Sequence, residues 1–339
     1  MRILIIGPSW VGDSVMAQTL YKCLKKEDPS CQLDVFSPSW SMSLLSRMPE
    51  VSVSIESNFA HGDFKAVLRY RLAKEIKKNK YDRAILLTNS MKSSLIPFFA
   101  DIPIRTGWLG EMRYGLVNDI RKLDKSYQYL MIEKFAALSM QPSKHNMKDL
   151  PLPKLSVDSI NQKLQLDKFN INFDKPCLAI CPGAEFGPSK KWPAEYYAEI
   201  ALNYIDKGWN VISFGSPNDQ KTAEEIIRHK DLLKSPNFHN LIGKTSLLDA
   251  IDLLSLCKIA VTNDSGLMHV AAAVETPLVA LYGPSSPEYT PPLINRKVIL
   301  RNVHGYDKTR TGDLKGGYHS SLLSIKPNEV MDALKKFNS

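Results

Sequence analysis

Short apolar runs alternate with helical stretches along this chain of 339 residues, and the alternation occurs twice. No other feature narrows the fold so far, because repeated strand–helix–strand units build a parallel sheet with helices on both faces. In the first half, strands are expected at Arg2–Gly7, Leu33–Ser37 and Arg83–Asn89. Helices are expected there at Asp13–Lys26, Lys65–Lys80, Ser93–Ala100 and Ser126–Leu138. The second half resumes with strands at Cys177–Cys181, Asn210–Gly215, Lys258–Thr262 and Pro277–Leu281. Its expected helices are Pro193–Lys207, Asp219–His229, Ser246–Leu256 and Gly266–Val274. Between the halves, residues 141–176 carry Pro142, Pro151 and Pro153 in a polar stretch that reads as an interdomain crossing.

The length exceeds what one hydrophobic core usually serves. The expectation is an α/β chain of two Rossmann-like doubly wound domains facing a cleft, residues 1–160 and 161–325. A helix over 326–339 is expected to cross back to the first domain. Hydrophobic content of 44% and charged content of 23% fit a soluble globular protein. No apolar run is long enough to span a bilayer, so a cytoplasmic location is expected. The five cysteines are odd in number and scattered, which favours reduced thiols over a disulfide framework or a zinc site.

Charge is uneven. Residues 1–150 hold 22 basic against 15 acidic side chains, and residues 151–339 hold 22 against 20. The first half therefore suits an acidic partner, such as a phosphorylated glycolipid, an anionic membrane surface or a nucleic acid, unless its lysines form only a solvated surface.

The turn after the first strand, Gly7-Pro8-Ser9-Trp10-Val11-Gly12-Asp13, lacks the G-x-G-x-x-G spacing and the P-loop lysine. Asp13 reads either as a helix cap or as a general base for an attacking hydroxyl. In the second half, Gly183, Ala184 and Glu185 open a loop that reaches Lys190 and Lys191, either of which could neutralise a diphosphate; Lys190 is favoured. Asp219 could accept from ribose hydroxyls or cap a helix. Asn263-Asp264-Ser265-Gly266 leads from a strand directly into a helix carrying His269, which aims free N–H groups and a helix dipole at one spot. Lys92, Arg105 and Arg113 stand near an indole and a phenol in the basic half, as anion or sugar ligands or as internal salt-bridge partners. No metal-ligand cluster stands out.

Taken in order, these motifs resemble the ADP-heptose:lipopolysaccharide heptosyltransferases of glycosyltransferase family 9, over nearly the whole chain. The residues that carry the resemblance are Gly7 to Asp13, Arg105 to Trp108 with Arg113 to Gly115, Cys181 to Glu185, Lys190 to Pro193, Asn263 to His269 and Leu281 to Pro287. The resemblance implies a GT-B fold with an N-terminal acceptor domain and a C-terminal ADP-heptose domain. It implies inverting, metal-independent transfer of L-glycero-D-manno-heptose to heptosyl-Kdo2-lipid A, with no cofactor beyond the donor. Asp13 matches the general base and Lys190 the diphosphate lysine. Asp264 matches the heptose ligand, with Gly266 lending N–H groups, His269 near the phosphates and Asp219 near the ribose. Gly183, Ala184, Glu185, Lys191, Asn263 and Ser265 complete the expected donor site, and Ser9, Trp10, Lys92, Arg105 and Arg113 the acceptor site. Glu185-Phe186 stands where relatives carry a Thr-Thr pair. The implied partners are ADP-heptose, a lipid A-linked acceptor and peripheral contact at the cytosolic face of the inner membrane, without nucleic acid. A sugar-nucleotide epimerase of similar build and a non-catalytic nucleotide-sugar-binding protein are the alternatives.

Overall fold

The computed structural model describes residues 1–59, 63–124, 129–139, 149–228, 232, 234–307, 309–314 and 317–337. The chain divides into two compact units, Met1–Pro153 and Lys154–Ser339.

The first unit holds strands β1 (Arg2–Ile6), β2 (Gln32–Pro38), β3 (Val53–Ser57), β4 (Arg83–Leu86), β5 (Ile104–Trp108) and β6 (Asp119–Arg121). They form one sheet in the order β3-β2-β1-β4-β5-β6, with every pairing parallel. Strands β1 and β4 are apolar runs covered on both faces, so they read as continuous hydrophobic segments. Leu4, Ile6, Ala84 and Leu86 pack with Ala73, Ile76 and Ile96 from helices Ala66–Lys77 and Met91–Phe99.

The second unit repeats this topology. Strands β7 (Cys177–Cys181), β8 (Asn210–Ser213), β9 (Phe238–Asn240), β10 (Ile259–Asn263), β11 (Leu278–Leu281) and β12 (Lys297–Leu300) form a parallel sheet ordered β12-β11-β10-β7-β8-β9. Its core gathers Leu178, Ile180, Val261 and Val279 around Trp192, Tyr197 and Tyr204. Trp192 and Tyr197 meet edge to face with centroids 4.9 Å apart, a favoured ring geometry.

Helix Pro327–Lys335 packs on helix Ala194–Asp206 within this unit, burying Val330, Ala333 and Leu334. The unit also begins before residue 161. The Leu155 N–H donates to the Ala273 carbonyl, and helix Ser159–Lys168 binds helix Leu247–Leu256 through polar side chains. Asn161 donates to Asp249 and Asp252, and Gln162 donates to Ser255. No residue of helix Ser159–Lys168 is buried, so the stretch expected as a crossing contains a helix that no apolar stripe announces. The expected helix Ser126–Leu138 is seen as Met131–Ala136; residues 125–128 lie outside the described set, as do 141–148 of the crossing and His229.

In both sheets the strand order reverses once, between β1 and β4 and between β7 and β10. The loops leaving those strands face a crevice at the carboxyl edge of the sheet, where doubly wound folds place ligands. All five cysteines are free and buried, as expected for reduced thiols.

Candidate functional site

In the first unit, the turn after β1 enters helix Val11–Glu27 with Trp10 at the N-cap and no side-chain cap bond. Asp13 is not the cap. It occupies the first turn, half-buried, and lines a cavity of about 900 Å³. Ser9, Trp10 and Lys92 line the same cavity, together with Asn89, Trp108, Arg69 and Lys134. A carboxylate, several cations and indole faces in one hollow suit a sugar bearing anionic groups.

Arg105 and Arg113 are elsewhere. Arg105 donates from Nε to the Leu116 carbonyl at 2.7 Å, and from its other nitrogens to Ile102 and Gly115. Arg113 is 2% exposed and donates to the carbonyls of Thr88 and Trp108. The salt bridges weighed as an alternative are thus replaced by carbonyl contacts that lash residues 109–118 to the sheet edge. Neither arginine borders the cavity; Arg113 acts by holding Thr88 and Trp108, which do.

Arg69 and Lys134 are the cavity cations that sequence reading missed. Arg69 sits on the buried face of its helix with Ala73 and Ile76, its guanidinium 4.0 Å from the Phe59 ring centroid and bonded to the Phe64 and Asp63 carbonyls. An arginine on an otherwise apolar helix face was the available signal. Burial lowers the pKa of both Arg69 and Lys134.

The second unit uses two neighbouring lysines differently. A 3-10 turn, Pro188–Lys190, follows the loop after β7. Lys190 Nζ lies 2.5 Å from Asp264 Oδ2, whereas Lys191 Nζ lies 3.2 Å from Asp219 Oδ1 and 3.3 Å from Thr222. Asp219 Oδ2 accepts from the Ser216 N–H and hydroxyl, which closes a capping box on the 3-10 turn Pro217–Asp219; at the N-cap of helix Gln220–Ile227 its side chain makes no cap bond. Glu185 accepts from Ser216 and Asn218 on the same side. Ala184, Glu185, Lys191 and Asp219 line a second cavity, of about 790 Å³. Gly183 is required beside it, since a Cβ there would stand 2.3 Å from Asp219 Oδ2.

Asn263 is fully buried and spends its amide on the protein. It donates to the Pro182 carbonyl at 2.7 Å and accepts from Tyr197 at 2.9 Å and the Trp192 N–H at 3.2 Å. It shapes the loop that the sequence reading assigned it to line. Asp264 does not cap the following helix, Gly266–Ala273; Ser265 occupies the N-cap and makes no side-chain cap bond. Among the described residues, Ser265 Oγ and His269 Nδ1 are buried without a hydrogen-bond partner, and so are Thr262 Oγ1 at the end of β10 and Ser285 Oγ after β11. Burial lowers the His269 pKa to about 4; Asp264 opposes that shift and Lys190 adds to it. The imidazole is therefore neutral at neutral pH and able to donate or accept one hydrogen bond.

An uncapped helix start, a lysine, a carboxylate and orphaned buried polar atoms converge here, at the reversal point of a parallel sheet. Such a site suits a phosphorylated ligand, and two doubly wound α/β units of this kind are the build of the GT-B fold. The sequence profile of glycosyltransferase family 9 (heptosyltransferase) matches residues 69–319, and the chain belongs to that family. It is 48% identical to lipopolysaccharide heptosyltransferase 2 of Salmonella typhimurium, over 98% of this chain and 97% of the relative. Identity is 46% to lipooligosaccharide heptosyltransferase 2 of Haemophilus influenzae, over 99% of both chains. The solved structure of Escherichia coli ADP-heptose LPS heptosyltransferase II superposes with a TM-score of 0.89 at 44% identity, covering 99% of this chain and 98% of that one. The epimerase and the non-catalytic binder are set aside by these relationships.

Among the described residues, no group of three or more His, Cys, Asp or Glu is placed to hold a metal ion, and no helix is long and apolar enough to cross a membrane.

Proposed function

We propose that the chain transfers L-glycero-D-manno-heptose from ADP-heptose to heptosyl-Kdo2-lipid A, with inversion, at the cytosolic face of the inner membrane. The observation that carries this reading is the uncapped start of helix Gly266–Ala273, where Ser265 Oγ and His269 Nδ1 lack partners and a lysine stands within reach of Asp264. Helix N–H groups and Lys190 take the charge of the diphosphate, and no metal is called on for that task. Asp264 holds a donor-sugar hydroxyl.

Asp13 takes the proton from the acceptor hydroxyl as its oxygen attacks the anomeric carbon. The bond from that carbon to the diphosphate oxygen breaks on the opposite face, and its electron pair leaves with ADP. The cavity around Asp13 supplies aromatic surface and cations for an acidic core sugar. Lys191 and Asp219 act behind this centre by fixing the loop that carries Lys190.

Incubation with ADP-heptose and a heptosylated acceptor, followed by NMR of the new linkage, tests the reading. The expected product has the anomeric configuration opposite to the donor and forms equally well in EDTA. Retention of configuration, or loss of product in EDTA, contradicts it.

A further inference from the structure

Helix Ala66–Lys77 has two faces of different use. Arg69, Ala73 and Ile76 are buried, and Arg69 reaches the cavity that holds Asp13. The opposite side exposes Val67 (68%), Leu68 (43%) and Tyr70 (46%), preceded by Phe64 (53%). Aliphatic and aromatic side chains so exposed within one helical turn call for a partner surface.

The patch extends onto helix Met91–Phe99, which packs against the first helix. Tyr70 meets Phe99 edge to face at 5.4 Å, and Phe99 meets the exposed Phe98 at 5.5 Å. Basic groups frame it. Lys74 Nζ stands 5.0 Å from the Tyr70 ring centroid, and the Arg105 guanidinium 5.5 Å from that of Phe98. Residues 64–80 contain seven Lys or Arg and one acidic residue, Glu75. Glu75 pairs with Lys78, and Asp101 pairs with Lys77 and lies within electrostatic reach of Lys74; Arg71 and Lys74 are both exposed.

We propose that the outward face of this helix pair docks the protein on a bilayer carrying anionic phospholipid headgroups. The apolar turn enters the headgroup region while Arg71 and Lys74 meet lipid phosphates, the division of labour of an interfacial amphipathic helix. The inference rests on the reading that the acceptor is lipid-anchored, and it explains a placement. The same helices, through Arg69, Lys92 and Ile96, wall the cavity on their other side, so a bilayer here presents its anchored sugars next to Asp13.

Sedimentation with vesicles of phosphatidylethanolamine and phosphatidylglycerol, against phosphatidylcholine alone, tests the surface. Two variants are compared with the parent, Arg71→Gln/Lys74→Gln and Val67→Ser/Leu68→Ser/Tyr70→Ser. The parent is expected to bind only the anionic vesicles. Each variant should lose about tenfold or more of that binding while transferring to a deacylated, soluble acceptor at the parental rate. All five side chains are exposed, and unchanged circular dichroism establishes folding; the charge variant alone suffices if the apolar one unfolds. A parent that binds neither kind of vesicle, or variants that bind as it does, overturns the assignment and leaves the patch to a protein partner. Vesicle binding and soluble-acceptor transfer are read separately, so failure of the surface and failure of the activity register in different assays.

Discussion

Lys190 and Asp264 form an ion pair that joins the loop after β7 to the loop after β10, across the point where strand order reverses. The lysine is 19% exposed and the carboxylate 5%, so the pair is partly desolvated and less screened by solvent and salt than a surface bridge. It holds a cation beside the uncapped helix start, ready for a more highly charged partner.

Replacing Lys190 with Ala should weaken ADP-heptose binding about ten- to hundredfold, the value of one charge-assisted hydrogen bond, and slow turnover as well. Lys191→Ala should leave donor affinity within about threefold, because its amine pairs with Asp219 and Thr222 and not with Asp264 beside the uncapped helix start. Calorimetric titration of both variants with ADP-heptose checks the contrast. Equal losses would mean that the two lysines share the phosphate.

His269 makes stability depend on pH in a defined window. Burial holds its folded pKa at about 4 against an ordinary 6.5. Between those values the unfolded chain binds more protons than the folded one. The contribution of the neutral imidazole is therefore complete above pH 6.5 and is lost as pH falls towards 4, by up to about 3 kcal/mol. Melting temperatures of the parent and His269→Gln should converge as the medium is acidified across this window. Parallel curves would show that the imidazole is not buried neutral.

The loop scaffold should be sensitive where no ligand contact is invoked. Asn263→Ala removes four side-chain hydrogen bonds at a fully buried site, takes from the Trp192 N–H and the Pro182 carbonyl their Asn263 partner, and leaves the Tyr197 hydroxyl only its long bond to the Cys181 carbonyl. A loss of about 2–4 kcal/mol is expected. Gly183→Ala forces the Asp219 carboxylate aside and opens its pair with Lys191, at a cost of about 1–3 kcal/mol. Urea denaturation measures both, and a change under about 0.5 kcal/mol in either would refute the role given to that residue.

The buried strands were legible because each carries a run of consecutive apolar residues. β1, β4, β7, β8, β10 and β11 all fall within or one residue from the runs read in the sequence. The outer strands β3, β6, β9 and β12 were not, since they are short and half-exposed. Phe238-His239-Asn240 has neither alternation nor length to mark it. Helix Ser159–Lys168 escaped for the related reason that its contacts are amide to carboxylate. Site residues at turns were found by type and position, but their partners were not. The sequence offers Asn263, Asp219 and Arg113 as ligands alongside Asp264; only side-chain geometry shows that Asn263 and Arg113 spend their hydrogen bonds on backbone and core groups of the protein. Arg69 left a local trace, as an arginine on an otherwise apolar helix face, whereas Lys134 is brought to the cavity by tertiary packing.

In the proposed mechanism the base lies on the first unit and the donor is held by the second. Asp13→Asn tests this division most directly, through donor affinity and single-turnover rate on the same preparation. ADP-heptose should bind with unchanged affinity while transfer falls by about 10²-fold or more. A variant that transfers at the parental rate, or one that loses donor binding in step with rate, would contradict the assignment of Asp13 as the base.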